Sequence, residues 1–157
     1  MILSYIKMQE IKPCSQNNKN KLIQIMQETE FSDFQKLVGS DIYNKLVEDC
    51  SETPINPQLQ EILDGGLYHA IAYLVYSRYV QEISAVDTFG GFVQKQREEA
   101  SPVSQGTIKN IAIHSREIAL QYFEKVSDKL MNFYGEVPPC GVEDGFSEIY
   151  PIRRSKK

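Results

Sequence analysis

Two long helical stretches, separated by a short segment of different character, constrain most strongly how this chain of 157 residues can fold. The first, Leu67 to Val86, is apolar on nearly all sides, as is typical of a buried central helix. The second, Thr107 to Tyr134, has an apolar stripe of helical period and a charged outer face, on which we place Arg116. Because 20 helical residues extend about 30 Å, these stretches predict a stiff pair within an all-α fold, a small helical bundle.

The segment between the two stretches, residues 88–106, has the composition of a projecting contact element. It begins with the letters TFGGFV and continues with dense charge up to Pro102. Paired glycines permit a tight turn or the close approach of another backbone. The segment could form a strand or a β-hairpin, although it contains few β-branched residues.

Shorter helices are predicted before the first long stretch. Ser32 and Gln35 have the spacing of a capping box, which predicts that a helix begins there. Gly39 can end that helix in a left-handed conformation. Asn56 followed by Pro57 is a favourable helix start, and the Gly65-Gly66 pair predicts a break or a sharp bend.

The last 23 residues, 135–157, differ in composition from the rest. They are rich in proline and glycine and cannot continue the preceding helix. Regularly spaced apolar and aromatic residues lie along them: Phe146, Ile149, Tyr150 and Ile152. We therefore expect a helical domain of residues 1–134 and an extended C-terminal tail that lies along its own surface or that of a neighbour.

The net charge of −4 is unevenly distributed. Four of the 17 basic residues lie in the last five positions, so the rest of the chain has 13 basic against 21 acidic residues. An acidic body disfavours a broad DNA-binding face. The basic end, which includes Arg153 and Arg154, could contact an acidic partner or nucleic acid, or it could remain solvated.

The cysteines and the apolar segments indicate where such a protein is made. Cys14, Cys50 and Cys140 are an odd number and far apart, which fits a reducing compartment. The first residues lack the continuous apolar core of a signal peptide, and the most apolar run is too short and too polar to span a bilayer. We expect a soluble protein made in a cytoplasm, without membrane contact.

No group of residues predicts catalysis or ligand binding. His69 and His114 lack a second ligand at metal-binding spacing. Glu98 and Glu99 are adjacent in a loop, whereas acid–base pairs face each other across a pocket. Cys140 has no histidine nearby in sequence. We expect no enzymatic activity, no cofactor and no metal ion.

The succession of motifs resembles the head–tail connector, or adaptor, proteins of tailed bacteriophages, in the variety found in phages of Bacteroidetes. The resemblance lies in an ordered series: a Leu-x-Gly-x-x-Ile-Tyr turn, a helix rich in Tyr and Ala, a Gly-Gly loop ending in SPVS, and a terminal helix. The matching stretches are FQKLVGSDIYNKLVEDC (34–50), YHAIAYLVYSRYVQE (68–82), TFGGFVQKQREEASPVS (88–104) and the helix that follows, to Tyr134.

The resemblance implies a structural virion protein without enzymatic activity. Such adaptors bind beneath the portal protein as a ring, usually of twelve copies, extend the DNA channel and give later neck or tail proteins a docking surface. DNA would pass through this channel without specific binding. The protein would be made in the cytoplasm of the host bacterium and assembled into the neck of the virion.

The resemblance also implies which residues contact neighbouring subunits. The interhelical loop supplies Phe89, Gly90, Gly91, Phe92 and Val93. From the composition of the tail we add further contacts to a neighbour or to the portal: Phe146, Ile149, Tyr150, Arg153 and Arg154.

Two alternatives remain open from the residues. A small helical nucleic-acid-binding or regulatory protein would use the basic C-terminus and the region of Lys95 and Arg97, where Phe89 and Phe92 could stack on bases. A helical enzyme, or an accessory subunit of one, would need a partner chain to complete its site.

Overall fold

The computed structural model describes residues 1–88, 91–94 and 104–135, and this part of the chain is mostly helical, as the sequence predicts. In chain order its elements are α1 (Tyr5–Ile11), a 3₁₀ turn (Gln16–Asn18), α2 (Lys19–Thr29), a wide π-helical turn (Glu30–Phe34), α3 (Gln35–Val38), α4 (Ser40–Asp49), α5 (Pro57–Ile62), a second π-helical turn (Leu63–Leu67), α6 (Tyr68–Ser84), β1 (Ala85–Thr88), β2 (Gly91–Gln94) and α7 (Gln105–Tyr134).

Helix α2, the first π-helical turn and α3 are continuous, so the capping box predicted at Ser32 and Gln35 is wrong. Ser32 lies inside this helix, and its Oγ donates to the carbonyl oxygen of Glu28 at 2.7 Å. A serine hydroxyl can bond to the preceding helical turn as readily as it can cap a new one. The helix ends at Gly39, which has a positive φ of 86°.

The two long helices, α6 and α7, pack along each other in antiparallel directions. Near the start of α6, Gly66 lies against Tyr122 and Val126 of α7. Near its end, Arg78 shares the carboxylate of Asp33 with Arg116, which precedes Tyr122 along α7. The chain therefore leaves α6 and enters α7 at the same end of the pair.

Strands β1 and β2 lie at that end and pair in antiparallel register, with Val86 opposite Val93 and Asp87 opposite Phe92. Helix α7 begins at Gln105, two residues earlier than predicted, because the Ser104 hydroxyl accepts a hydrogen bond from Thr107 N at 3.1 Å. This cap satisfies a free backbone donor of the first turn and shortens the predicted loop of residues 88–106.

The hydrophobic core draws on every described helix. Phe34 is fully buried and meets Tyr43 and Phe123 edge to face, with ring centroids 6.4 Å apart in both pairs. Other fully buried large side chains are Leu3, Met8, Leu22, Ile25, Met26, Ile42, Leu46, Leu59, Leu63, Leu67 and Ile71. Each such side chain contributes about 1.5–3 kcal/mol when it leaves water.

The bend predicted at the glycine pair is confirmed, and it lies at Gly66, where the backbone departs from helical geometry. A Cβ at Gly66 would lie 3.0 Å from the carbonyl oxygen of Tyr122 and 3.2 Å from Val126 Cγ1. The absence of a side chain therefore sets how closely α7 approaches this bend. Within the described ranges, no helix combines the length and the apolar character needed to cross a bilayer.

We expect Gly66→Ala to lower the free energy of unfolding by about 1–3 kcal/mol, because the new methyl group presses on the backbone of α7. Gly65→Ala is the matched control, since its Cβ meets only Val126 Cγ1 at an ordinary 3.7 Å. The control should stay within about 1 kcal/mol of wild type. Urea denaturation followed by circular dichroism measures both, and equal losses in the two variants would contradict the close-approach explanation.

Candidate functional site

The predicted contact residues of the loop lie only partly within the described chain. Gly91, Phe92 and Val93 are in β2, where they pair with Thr88, Asp87 and Val86. Phe89 and Gly90 lie outside the described residues, as do residues 95–103, including Lys95 and Arg97. The whole predicted tail after Gly135 also lies outside: Phe146, Ile149, Tyr150, Arg153 and Arg154.

An ionic junction, formed by Asp33, Arg78, Arg116 and Ser32, joins three segments of the fold. Arg78 donates to both carboxylate oxygens of Asp33, from Nε at 2.8 Å and from Nη2 at 3.0 Å, and also to Ser32 Oγ at 2.7 Å. Arg116 Nη2 donates to Asp33 Oδ2 at 3.3 Å. Paired hydrogen bonds between a guanidinium and a carboxylate fix geometry as well as adding energy. The junction therefore sets the relative positions of α2–α3, α6 and α7.

The first π-helical turn makes this junction possible. Both of its acidic residues that point inward, Glu30 and Asp33, are buried. A π-helical turn contains one residue more than an α-helical turn, and such turns are frequent at functional sites. Here the wider turn directs the two carboxylates into the interior of the fold, where partners from other elements reach them.

The carboxylate of Glu30 holds the segment that precedes α1. Oε2 accepts from Ile2 N and Oε1 accepts from Leu3 N, each at 2.8 Å. Burial raises the pKa of Glu30, and the two backbone N–H groups act in the opposite direction. Ile2 and Leu3 are themselves buried, so this carboxylate ties the first residues into the core.

A surface that we call the tyrosine face lies on α6 between α1 and α7. Tyr122 stacks on His69, with ring centroids 4.8 Å apart, and on Tyr73, at 6.0 Å. These rings are partly exposed. The face consists of Tyr68, His69, Tyr73, Tyr76 and Tyr122, with the side chains of Lys7, Lys12 and Lys125 over the rings.

The lysines give the tyrosine face a positive charge. Lys12 Nζ lies 4.5 Å from the ring centroid of Tyr76, and Lys125 Nζ lies 4.8 Å from that of Tyr122. Lys7 also forms ion pairs with Glu10 at 3.6 Å and with Asp64 at 3.5 Å. No described acidic side chain forms an ion pair with Lys12 or Lys125.

Tyrosine rings with cations above them are suited to contact with another macromolecule. Tyrosine combines apolar area with a polar tip, and it is enriched at protein interfaces.

Burial lowers the pKa of His69, and the charge of Lys7 lowers it further, so the imidazole of the face is neutral at pH 7.

The end of α7 is anchored on α4. Tyr134 Oη donates to Asp49 Oδ2 at 2.8 Å, and burial together with this carboxylate raises the pKa of Tyr134. Gly135 follows in the left-handed conformation, with φ 68°, and caps the helix. The chain beyond residue 135 therefore starts from a fixed point.

The sequence placed Arg116 on the outer face of α7, and this prediction is wrong. Only 19% of its side chain is exposed, and it contacts Asp33. The pattern of α7 alone does not reveal a contact with Asp33, which lies 83 residues earlier. Arg78 was the available signal, because a charged residue within the most apolar helix requires a partner.

The remaining histidine and the described cysteines lie outside the ionic junction and the tyrosine face. His114 is exposed and near Glu117. Burial raises the pKa of both Cys14 and Cys50 to about 11, so these thiols are protonated at neutral pH. In the described part of the chain, no three His, Cys, Asp or Glu side chains converge as a metal site would require.

In a comparison with protein families, residues 34–133 match a family described as of unknown function, DUF6712. The chain belongs to this family. Neither the curated proteins nor the solved structures contain a significant match to the chain.

Some of the residues described above lie inside the family match, and others precede it. It contains α6 and α7, hence Arg78, Arg116 and all rings of the tyrosine face. It begins at Phe34, so Asp33 and Glu30 precede it, as do Lys7 and Lys12. The matched region extends from Phe34 through α3, α4, α5 and α6 to the next-to-last residue of α7, and the preceding residues complete its ionic and cationic contacts.

We expect Asp33→Asn to lower the free energy of unfolding by about 3 kcal/mol, because the variant leaves two partly buried guanidinium groups without their carboxylate. Asp128→Asn on the exposed side of α7 removes an equal charge and should change stability by no more than about 0.5 kcal/mol. Chemical denaturation of the three proteins at pH 7 checks this. Equal stability of the Asp33 variant and the control would show that the junction does not hold the helices together.

Glu30→Gln should change how stability depends on pH. Because burial raises the folded-state pKa of Glu30 above its ordinary value, protonation of this group favours the folded state. The free energy of unfolding of wild type, relative to the Gln variant, should therefore decrease as pH rises from 4 through the folded-state pKa.

Denaturation curves at half-unit pH intervals measure this difference. Glu124→Gln, at an exposed position of α7, corrects for the loss of one carboxylate anywhere on the surface. If the free energy of unfolding of wild type, relative to the Glu30→Gln variant, increases with pH, the raised pKa of Glu30 is contradicted.

Proposed function

We propose that this protein is a structural connector in the neck of a tailed bacteriophage. In this role it forms a ring, usually of twelve copies, that joins the portal protein to the tail and extends the DNA channel. One observation carries the proposal: the antiparallel pair of α6 and α7 brings both ends of the connecting segment to one end of a stiff frame. The order of motifs along the same helices and segment resembles that of phage adaptors.

A ring requires each subunit to present two different surfaces, one to each neighbour. The connecting segment, with Phe89, Gly90, Gly91, Phe92 and Val93, projects as a hairpin and supplies one of these surfaces. A stiff frame favours such an arrangement, because a contact element on a rigid support loses less conformational entropy on binding. The ionic junction and the bend at Gly66 provide that stiffness.

The tail extends from the fixed end of α7 to a neighbouring copy or to the portal. Phe146, Ile149 and Tyr150 are its apolar anchors, and Arg153 and Arg154 reach acidic groups of the partner. Burial of the three anchors offsets the entropy lost when such a segment becomes ordered. Downstream neck or tail proteins dock on the opposite side of the ring.

Passage of DNA is compatible with the charge of the chain. Apart from its last residues the chain is acidic, and an acidic channel wall does not hold a polyanion. The protein is made in the host cytoplasm and ends in the virion neck, with no catalytic step, cofactor or metal.

A second candidate function is nucleic-acid binding, which the tyrosine face favours. Aromatic rings with lysines over them are also found where single strands stack on proteins. A mobility-shift measurement at physiological salt with single-stranded and duplex DNA separates the two functions. A connector should show little retardation, whereas a nucleic-acid-binding protein should shift the probe, with an affinity that falls steeply as salt increases.

Phe89→Ser together with Phe92→Ser should reduce the number of subunits bound per portal ring and leave helicity unchanged, because apolar area at the subunit contact is lost. The measurement is negative-stain electron microscopy of the protein mixed with the portal of the same phage, with circular dichroism of the free protein. Phe31→Ser is the matched control, since Phe31 is 67% exposed and lies outside the proposed contacts.

Complete rings formed by the double variant would remove the loop from the interface. Absence of any wild-type density on portal rings would contradict the connector function itself.

A further inference from the structure

We propose that the tyrosine face binds the acidic and aromatic segment of the tail, residues 143–150, from a neighbouring copy of this chain. The inference rests on the proposed ring and adds to it the surface on which each tail docks. The face presents partly exposed rings and cations, and the segment carries the complementary groups.

The segment reads EDGFSEIY and combines two kinds of side chain. Its three carboxylates are Glu143, Asp144 and Glu148, and its apolar anchors are Phe146, Ile149 and Tyr150. Asp144, Phe146, Glu148 and Tyr150 occupy alternate positions, so an extended chain would present them on one side, with the rings against rings and the carboxylates near the lysines. Offset or edge-to-face contacts between such rings add about 0.5–1.5 kcal/mol each beyond the burial of area.

The charge of the face matches that of the segment. Lys12, which follows the end of α1, lies over Tyr73 and Tyr76, and Lys125 on α7 lies over Tyr122; neither forms an ion pair with an acidic side chain in the described chain. Lys7 already contacts Glu10 and Asp64. Two cations are thus available to three carboxylates, and the basic residues that follow Tyr150 would be repelled by the same lysines, which sets the direction and the register of the docked segment.

The tail is long enough to reach a tyrosine face, and the proposed ring assigns that face to a neighbouring copy. The tail starts after Tyr134, which is fixed on Asp49, and Tyr134 lies about 18 Å along α7 from Tyr122 at 1.5 Å per residue. The nine residues from Tyr134 to Glu143 span up to about 30 Å when extended. A tail that docks on the next copy links subunits, as a ring requires, whereas a tail closed on its own face would link nothing.

A labelled peptide of residues 141–152 tests the docking directly, by fluorescence anisotropy against the full-length chain. The receptor carries Phe146→Ser, Ile149→Ser and Tyr150→Ser, so its own tail does not compete. We expect saturable binding that weakens as salt increases and that falls about tenfold when Lys12→Glu and Lys125→Glu are added. Lys36→Glu with Lys109→Glu, at two exposed lysines outside the face, is the matched control and should leave the affinity unchanged.

Charge exchange separates a specific contact from a loss of fold. A peptide with Glu143→Lys, Asp144→Lys and Glu148→Lys should bind the wild-type face poorly and recover most of the lost affinity on the Lys12→Glu, Lys125→Glu receptor. Failure of this recovery, or equal loss in the control receptor, would overturn the assigned surface. Binding of a single-stranded oligonucleotide to the same lysines, without binding of the peptide, would overturn it as well.

Peptide binding to dilute wild-type protein shows whether the docked tail belongs to the same chain or to a neighbouring copy. If tails dock between copies, the faces of dilute wild-type protein are free, and the peptide binds as tightly as it does to the receptor with the altered tail. If the peptide is excluded at every dilution, the tail occupies the face of its own chain and the neighbour assignment is wrong. This measurement needs no portal and is therefore independent of the test for rings. If the peptide does not bind while wild-type rings form on portals, the docking surface is rejected and the connector function is retained.

Discussion

The fold depends on one buried carboxylate that serves two cations. Asp33 accepts hydrogen bonds from the guanidinium groups of Arg78 and Arg116, which belong to the two long helices, and it lies on a third segment that contacts both. The Asp33 side chain is only 10% exposed, and a charge removed from water carries a large desolvation penalty unless partners surround it, so the guanidinium groups of both long helices stabilise its buried position. Together with the close approach at Gly66, the paired carboxylate–guanidinium contact fixes the register of α6 against α7.

The wide turn at Glu30–Phe34 and the bend at Gly66 each allow a contact that holds the two long helices in place. The turn directs two acidic side chains inward, one to the arginines and the other to the backbone of Ile2 and Leu3. At the bend, Gly66 has no side chain, and α7 can therefore approach more closely than it could beside any other residue. Both are local departures from regular α-helix, and both occur where a contact between distant parts of the sequence has to be made.

This explains which parts of the fold the sequence could predict. The all-α class, the helix start at Asn56, the bend at the glycine pair and the helix end at Gly39 follow from local patterns, because period, caps and glycine act within a few residues. Ser104 carried a capping signal of the same kind, and the predicted start of α7 at Thr107 overlooked it.

The ionic junction and the tyrosine face could not be predicted in the same way. Their members are separated by 45 residues, in the case of Asp33 and Arg78, and by 83 in that of Asp33 and Arg116, and a single helical pattern does not reveal which element faces which. In the sequence, the rings of α6 have the pattern of core residues, because the lysines that lie over them belong to other parts of the chain. The family match adds the boundaries of a related region, at residues 34 and 133.

Helix α7 also separates the two segments that could reach other molecules. The chain enters it at Gln105, beside the strands, and leaves it at Tyr134. Thirty helical residues extend about 45 Å, which exceeds the diameter of many small domains. Helix α7 therefore sets a fixed distance between Gln105, where it begins, and Tyr134, which is anchored on Asp49.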